Sequence, residues 1–476
     1  MSTPCASRFS MSQMPLLISL LRRVGLSPQK TLLCFFDLVA LLGTALLVFL
    51  LRAAYGGLDP ALYKWVLPLL LLGPVLGSSF GIYQSISLPP QRELKALFLL
   101  TSLTYSLILV VLFLAQAGEA YSRLVIAGSW AATVLTLPIM RGLCRRRFAK
   151  SRWWGRPLII LDRSDTGREL WRYLKRHPER GLMPVDIFAL PQDLPGLRRL
   201  LATAAQRHPG AMILIHHHMG LAQPLDYITE ANAYFSDILV VPAFDDDFKV
   251  RWLTPRDLGN VVGLLVRQNL HDKRRLRLKR CIDLALCALA ATILLPVGLV
   301  LALCIRLDSP GPVFYRQKRI GQGGSLLNIY KFRTMVADAD AALQACLAAD
   351  PALREEWERD HKLRNDPRIT RMGAFLRKSS LDELPQLLNV LAGDMSLVGP
   401  RPIVAEEVAK YGQVYDEYCR VKPGITGLWQ ISGRNDTSYA ERVAYDHYYI
   451  NNWSVWMDLW ILGKTVPVVI SGYGAY

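Results

Sequence analysis

The chain has 476 residues, 51% of them hydrophobic, with a mean hydropathy of +0.21 and a formal net charge of +17. This balance argues against an ordinary soluble protein and for a membrane protein, and on so apolar a chain the excess of Lys and Arg points to anionic lipid or phosphorylated substrates rather than nucleic acid. The eight cysteines are scattered without a Cys-x-x-Cys pair, which predicts reduced thiols and no disulfide or zinc site.

The apolar stretch at 14–21 is short and lacks a small-residue cleavage site, so no cleavable signal is expected. Four longer stretches follow, at 31–51, 65–83, 94–115 and 124–139, and about 20 helical residues suffice to cross a bilayer. Arg22, Arg23 and Lys30 precede the first, and Arg141, Arg145, Arg146, Arg147, Lys150 and Arg152 follow or close the last, so the positive-inside rule puts both ends in the cytoplasm. Residues 1–145 are therefore expected to form a four-span bundle.

Residues 146–270 read as a cytoplasmic Rossmann-like α/β domain, because the apolar runs at 157–161, 211–215 and 238–241 have the character of buried parallel strands. Residues 162–167 stand where a dinucleotide fold carries its glycine fingerprint, but they hold one glycine, which gives nucleotide binding little support. His216, His217 and His218 end a predicted strand and point alternately to opposite faces, a poor arrangement for one metal. Asp245, Asp246 and Asp247 read as a solvated acidic turn.

Residues 271–306 form a basic linker, Lys273 to Arg280, and a fifth apolar run interrupted at Leu295-Pro296. Basic residues on both sides and a proline in the middle predict a re-entrant membrane helix rather than a span, with a tilted, kinked span as the alternative. Residues 307–476 read as a mostly α-helical cytoplasmic domain dense in short charged motifs, so the fold class is a multidomain integral membrane α/β protein. Trp453, Trp456 and Trp460 have helical spacing that suits either a headgroup anchor or a core.

The strongest local signal is Ser379-Ser380-Leu381-Asp382-Glu383-Leu384-Pro385-Gln386-Leu387, followed by Gly399-Pro400-Arg401-Pro402. Adjacent carboxylates can divide two tasks, one attacking phosphorus and its neighbour holding the Mg2+ that neutralises a pyrophosphate. The same residues also fit a helix start, because Ser380-x-x-Glu383 has capping-box spacing.

These residues stand among further ordered blocks: Lys279-Arg280-Cys281-Ile282-Asp283, Ser309-Pro310-Gly311-Pro312-Val313, Gln317-Lys318-Arg319-Ile320-Gly321, Tyr330-Lys331-Phe332-Arg333-Thr334-Met335, Asn365-Asp366-Pro367-Arg368-Ile369-Thr370 and Lys422-Pro423-Gly424-Ile425-Thr426-Gly427-Leu428-Trp429-Gln430. From Arg277 to Tyr476 the pattern resembles the bacterial sugar transferase (polyprenyl phosphohexose transferase) family. The resemblance implies a multi-pass protein of the bacterial inner membrane, a homodimer, that transfers a hexose-1-phosphate from a UDP-sugar to undecaprenyl phosphate in O-antigen or exopolysaccharide synthesis. It favours galactose over glucose as the hexose. It further implies that Asp382 forms an aspartyl-phosphosugar intermediate, that Glu383 binds Mg2+, and that Arg377, Arg401 and Pro402 contact phosphate. Lys331, Arg333, Arg368, Arg434 and Asp446 are additional candidates for nucleotide or lipid-phosphate contact.

Two other classes fit less well. A transporter would carry more ionisable residues in its spans than Asp37, and a membrane-anchored nucleotide-sugar dehydratase or epimerase would need an intact glycine fingerprint.

Overall fold

The computed structural model describes residues 27–56, 58, 63–83, 88–116, 120–151, 153–162, 166–191, 193–217, 224–242, 253–257, 262–266, 269–336, 338–349, 354, 366, 368–433 and 437–471. The acidic run at 245–247, His218 and Arg434 lie outside these residues. The chain divides into two compact units, Met1–Asp245 and Asp246–Tyr476.

The first unit opens with three helices long and apolar enough to cross a membrane: α1 (Pro28–Ala53), α3 (Pro90–Leu114) and α4 (Arg123–Phe148). The stretch at 65–83 differs from expectation. It forms a 3-10 turn at Leu67–Leu71 and then α2 (Leu72–Ser79), together shorter than a full span, and the chain turns away at Gly81, φ 66°, with the Ile82 N–H donating to the Gly77 carbonyl at 2.9 Å. Even so, the segment joins the two ends of the bundle. At one end the Tyr63 ring lies 4.8 Å from Phe49, late in α1, and 5.4 Å from Tyr121, just before α4. At the other, the Tyr83 hydroxyl donates to Asp37 Oδ2 at 2.7 Å, early in α1.

A buried ionic network ties these elements together. Arg141 of α4, 1% exposed, donates through Nε to Asp37 Oδ1 at 2.8 Å and through Nη1 to Glu93 Oε1 of α3 at 2.9 Å. Arg145 adds Nη2 to Glu93 Oε1 at 2.7 Å. Asp37, the ionisable residue noticed in the first apolar stretch, is thus neutralised inside the bundle. Thr44 and Thr133 form a further α1–α4 hydrogen bond at 2.7 Å.

Beyond α4 the unit contains a four-stranded parallel sheet, ordered β2-β1-β3-β4. The strands are β1 (Arg156–Asp162), β2 (Leu182–Ala189), β3 (Met212–His217) and β4 (Ile238–Pro242), with helices α5 (Thr166–Arg176), α6 (Leu194–Arg207) and α7 (Pro224–Asn232) between them. The apolar runs seen in the sequence are β1, β3 and β4. Strand β2 is an edge strand, which tolerates Pro184 and Asp186. Where a dinucleotide fold would seat phosphate, the Asp162 carboxylate itself accepts the Gly167 N–H at 2.6 Å and pairs with His216 Nδ1 at 2.6 Å.

The second unit begins with the antiparallel pair β5 (Leu253–Asp257) and β6 (Val262–Val266) and continues into α8 (Lys273–Asp308). This helix bends by 59° between Lys273–Thr292 and Leu294–Asp308. Pro296 explains the bend, since its ring cannot donate to the Thr292 carbonyl and crowds it. The basic start of α8 is partly turned inward. Lys279 Nζ donates to Asp458 Oδ2 at 2.6 Å and to the Val398 carbonyl at 3.0 Å, and Arg280 bonds the carbonyls of Val390 and Leu391. Lys273, Arg274 and Arg277 remain exposed.

Among the described residues, the rest of this unit consists of helices and connecting loops apart from the antiparallel hairpin β7 (Phe314–Ile320) and β8 (Leu326–Phe332) and the short parallel pair β9 (Ser396–Val398) and β10 (Gly424–Thr426). Its main helices are α9 (Ala339–Ala349), α10 (Arg371–Ser379), α11 (Gln386–Ala392), α12 (Tyr439–Asn452) and α13 (Val455–Ser471). Trp453 is a core residue, 1% exposed among Tyr449, Ile450, Met457 and Ile461.

Candidate active site

Three local structures converge on Asp382 and Glu383. The first is the β7–β8 hairpin, where antiparallel register sets Tyr315 opposite Lys331, Gln317 opposite Ile329 and Arg319 opposite Leu327. Alternation along each strand therefore puts Gln317, Arg319 and Lys331 on the face that buries Leu327 and Ile329.

The second is α10 and the turn after it. Thr370 caps α10 by accepting the Gly373 N–H at 2.9 Å, and Gly373 lets the helix lie directly on the end of β8, since a Cβ there would stand 2.0 Å from the Thr334 carbonyl oxygen. This brings Arg377 to Thr334, with Nε donating to Oγ1 at 3.0 Å. At Ser380 the backbone turns left-handed, with φ of 56°, and Leu381–Glu383 form one 3-10 turn before Pro385 leads into α11. The capping box that the Ser380-x-x-Glu383 spacing suggested is not formed, because a left-handed Ser380 makes no side-chain cap. Asn389 of α11 fixes the turn against β8, accepting the Tyr330 N–H at 3.1 Å and donating to the Asn328 carbonyl at 2.8 Å.

The third is the segment around Arg401. The Gly424 N–H donates to the Pro400 carbonyl at 2.9 Å and the Ile320 N–H to the Ile403 carbonyl at 2.8 Å, so the chain is held on both sides of Arg401. Gly424 permits this approach, for a Cβ there would lie 2.1 Å from the Gly399 nitrogen. Buried Pro402 limits the backbone further.

The two carboxylates have different surroundings. Glu383 Oε1 accepts from Lys331 Nζ at 2.8 Å and from Arg401 Nη2 at 3.3 Å. Burial would raise its pKa, but Arg401 and Lys331 outweigh burial and hold the carboxyl down to about 2. Asp382 has Lys331 Nζ no nearer than 3.9 Å and makes no hydrogen bond among the described residues. Burial pushes its carboxyl above the usual range, aided by Glu383 and opposed by Lys331, Arg377 and Arg401. One carboxylate is firmly ionised and engaged, while its neighbour is more basic and uncommitted.

The other expected residues divide. Arg377 borders Asp382 and has no carboxylate within ion-pair distance among the described residues; burial lowers its pKa. Arg368 is bidentate to Asp366, at 2.8 and 2.6 Å, and lies beside Arg377. Arg333 faces elsewhere, donating to the Pro310 and Ser309 carbonyls at 2.7 Å each and so clamping the exit of α8. Asp446 is buried in a tyrosine cluster, where Tyr411 donates to Oδ2 at 2.8 Å and burial pushes its pKa up to about 7. Arg319, to which the sequence assigned no role, stands beside Arg401. The only pointer to it was its place in the Gln317–Gly321 block.

The model of the bacterial sugar transferase family matches residues 274–472, which include this site. Over 370 residues the chain is 36% identical to the undecaprenyl-phosphate galactose phosphotransferase of Salmonella typhimurium, covering 75% of this chain and 77% of the relative. It is 35% identical over 375 residues to the UDP-galactose-lipid carrier transferase of Erwinia amylovora, covering 73% and 75%. It is 30% identical over 476 residues to the UDP-glucose:undecaprenyl-phosphate glucose-1-phosphate transferase of Xanthomonas campestris, covering 93% of each. With the matched region spanning both carboxylates and their cationic rim, the chain belongs to the bacterial sugar transferase family and is an enzyme of the transferase class.

Proposed function

We propose that the enzyme moves galactose-1-phosphate from UDP-galactose to undecaprenyl phosphate, releasing UMP, as an early step in building a surface polysaccharide such as O-antigen. The observation that carries this reading is the asymmetry of the carboxylate pair, in which a basic, unengaged Asp382 stands beside an ionised Glu383 under several cations. An Asp382 oxygen bonds to the phosphorus that bears the sugar as the bond to the UMP oxygen breaks, and UMP departs with that electron pair. An oxygen of undecaprenyl phosphate then attacks the same phosphorus and returns Asp382 to its carboxylate. Lys331, Arg377 and Arg401 orient the phosphates and offset charge that spreads over their oxygens during transfer.

The donor set suits Mg2+, which commonly binds through one or two carboxylates together with substrate phosphates and waters. Glu383 would hold it, exchanging its bonds to Lys331 and Arg401, and the ion would supply charge neutralisation at the diphosphate. The choice of galactose follows the two galactose-named relatives, which align with about three quarters of this chain.

For topology, we propose that all four apolar elements cross the inner membrane, so that both ends of the bundle segment and the transferase unit are cytoplasmic. The path from Tyr63 to Tyr83 between opposite ends of the bundle supports this, as do the three Arg at the end of α4. The 59° bend and the basic residues flanking α8 support a re-entrant hairpin.

The test is UMP release from UDP-galactose and UDP-glucose by the membrane-inserted full chain with undecaprenyl phosphate and Mg2+. Asp382→Asn and Glu383→Gln should each abolish release. Undiminished turnover by Asp382→Asn would overturn the nucleophile assignment, and turnover with UDP-glucose alone would overturn the choice of sugar.

A further inference from the structure

The carboxylate pair accounts for Lys331 and Arg401 but leaves Arg319 unexplained. Arg319 lies on the inner face of β7, its side chain 17% exposed. The nearest carboxylate oxygen, Glu407 Oε2, is 3.7 Å from Nη1 and already accepts the Val404 N–H at 3.1 Å. The guanidinium otherwise meets neutral oxygens, with Nη2 donating to Gln317 Oε1 at 3.0 Å and Nη1 reaching the Pro402 carbonyl at 3.4 Å. Burial and the neighbouring Arg401 both lower its pKa, so the site holds a desolvated cation beside a second cation. Two guanidinium groups in this position repel each other unless an anion lies between or across them.

The charge count agrees. Lys331, Arg319, Arg377 and Arg401 bring four positive charges, against Asp382, Glu383 and the more distant Glu407, while Arg368 is neutralised by Asp366. Four cations less three carboxylates leave an excess of one, or of two if Glu407 is left to its own helix start.

We propose that Arg319 is a phosphate ligand, forming with Arg401 a cradle for a phosphate monoester beside the Asp382–Glu383 pair. The proposal rests on the transferase reading. In-line displacement at one phosphorus makes the group that leaves and the acceptor that follows approach opposite Asp382, so one cradle can serve the UMP phosphate and then the lipid phosphate. The planar fork of Arg suits this task better than an ammonium group does.

The experiment measures two quantities on the detergent-solubilised full chain: equilibrium binding of UMP by calorimetry, which needs no turnover, and the KM for undecaprenyl phosphate. Arg319→Gln should weaken UMP binding, raise the acceptor KM, or both, on the order of tenfold to a hundredfold, and Arg319→Lys should restore part of the loss. A change in UMP alone assigns the cradle to the nucleotide, in acceptor KM alone to the lipid, and in both to a shared cradle. If kcat falls while UMP affinity and acceptor KM stay within about twofold of wild type, Arg319 only supports the Pro402 backbone and the proposal is overturned. If the wild type binds no UMP and releases none from either UDP-sugar, the transferase reading itself fails, which retained binding by Arg319→Gln would not imply.

Discussion

Replacing Arg141 with methionine keeps the length and apolar stem of the side chain but removes the cation that α1, α3 and α4 share. Glu93 keeps Arg145, whose Nη2 lies 2.7 Å away, so the loss falls on Asp37, 1% exposed and left, among the described residues, with the Tyr83 hydroxyl at 2.7 Å. Breaking a buried pair by removing one partner costs about 3–5 kcal/mol. At about 1.4 kcal/mol per tenfold, this raises the unfolding equilibrium by roughly two to nearly four orders of magnitude. Removing both charges, as Asp37→Leu with Arg141→Met, strands no charge, and most of the loss should disappear. Titration with a denaturing detergent, followed by tryptophan fluorescence, measures all four corners of this cycle; Trp154, fully buried with Leu33, Tyr83 and Cys144, reports on the region. A single substitution costing less than about 1 kcal/mol, or a double as costly as the sum of the singles, would refute the view that this network holds the bundle together.

Two further predictions concern the site. In the proposed mechanism Asp382 attacks as the carboxylate, and burial raises its pKa, so kcat should fall on the acid side as pH drops through a value above the ordinary carboxylate range. Lys331→Met removes a cation that lowers this pKa, so in a pH–rate profile the residual activity should show that limb at higher pH; an unmoved or lower limb would contradict the assignment. In the wild type Glu383, held to about 2, cannot produce that limb. Gly373→Ala puts a methyl group 2.0 Å from the Thr334 carbonyl, with backbone on both sides and no rotamer to relieve it. Thermal unfolding should show a loss of about 1–3 kcal/mol, with turnover reduced because α10 carries Arg377 and the turn to Asp382.

The parts of this fold legible in the sequence are those whose residues obey one demand. Strands β1 and β3 are the inner strands, buried on both faces, so they read as continuous apolar runs; of the two edge strands, β4 keeps an apolar run while β2 mixes Pro184 and Asp186 with its apolar residues. The β7–β8 hairpin went unseen because both faces of β7 carry charge: Arg316 and Lys318 face solvent while Gln317 and Arg319 face the site. Asp382 and Glu383 were legible as a pair, and the capping box was a fair reading of their spacing. What defeats it is the backbone of Ser380, which closes α10 in the left-handed conformation and so ends one helix instead of capping the next. Arg333 and Lys331, two residues apart, looked equivalent in sequence; one clamps the Ser309-Pro310 loop and the other reaches Glu383.

Asp458 has a bearing on when the enzyme becomes active during its synthesis. Its carboxylate receives Lys279 Nζ at 2.6 Å, the Tyr449 hydroxyl at 2.8 Å and Trp453 Nε1 at 3.0 Å, and both Lys279 and Tyr449 also reach the Val398 carbonyl that ends β9. Lys279 precedes Asp458 by 179 positions. Contacts so far apart in the chain close late. The nascent polypeptide therefore completes α8 well before β9, beside which Arg401 is presented, receives its last support. Until the segment bearing Asp458 has emerged, β9 lacks this support, so a chain truncated before it would leave the neighbourhood of Arg401 and the carboxylate pair unassembled.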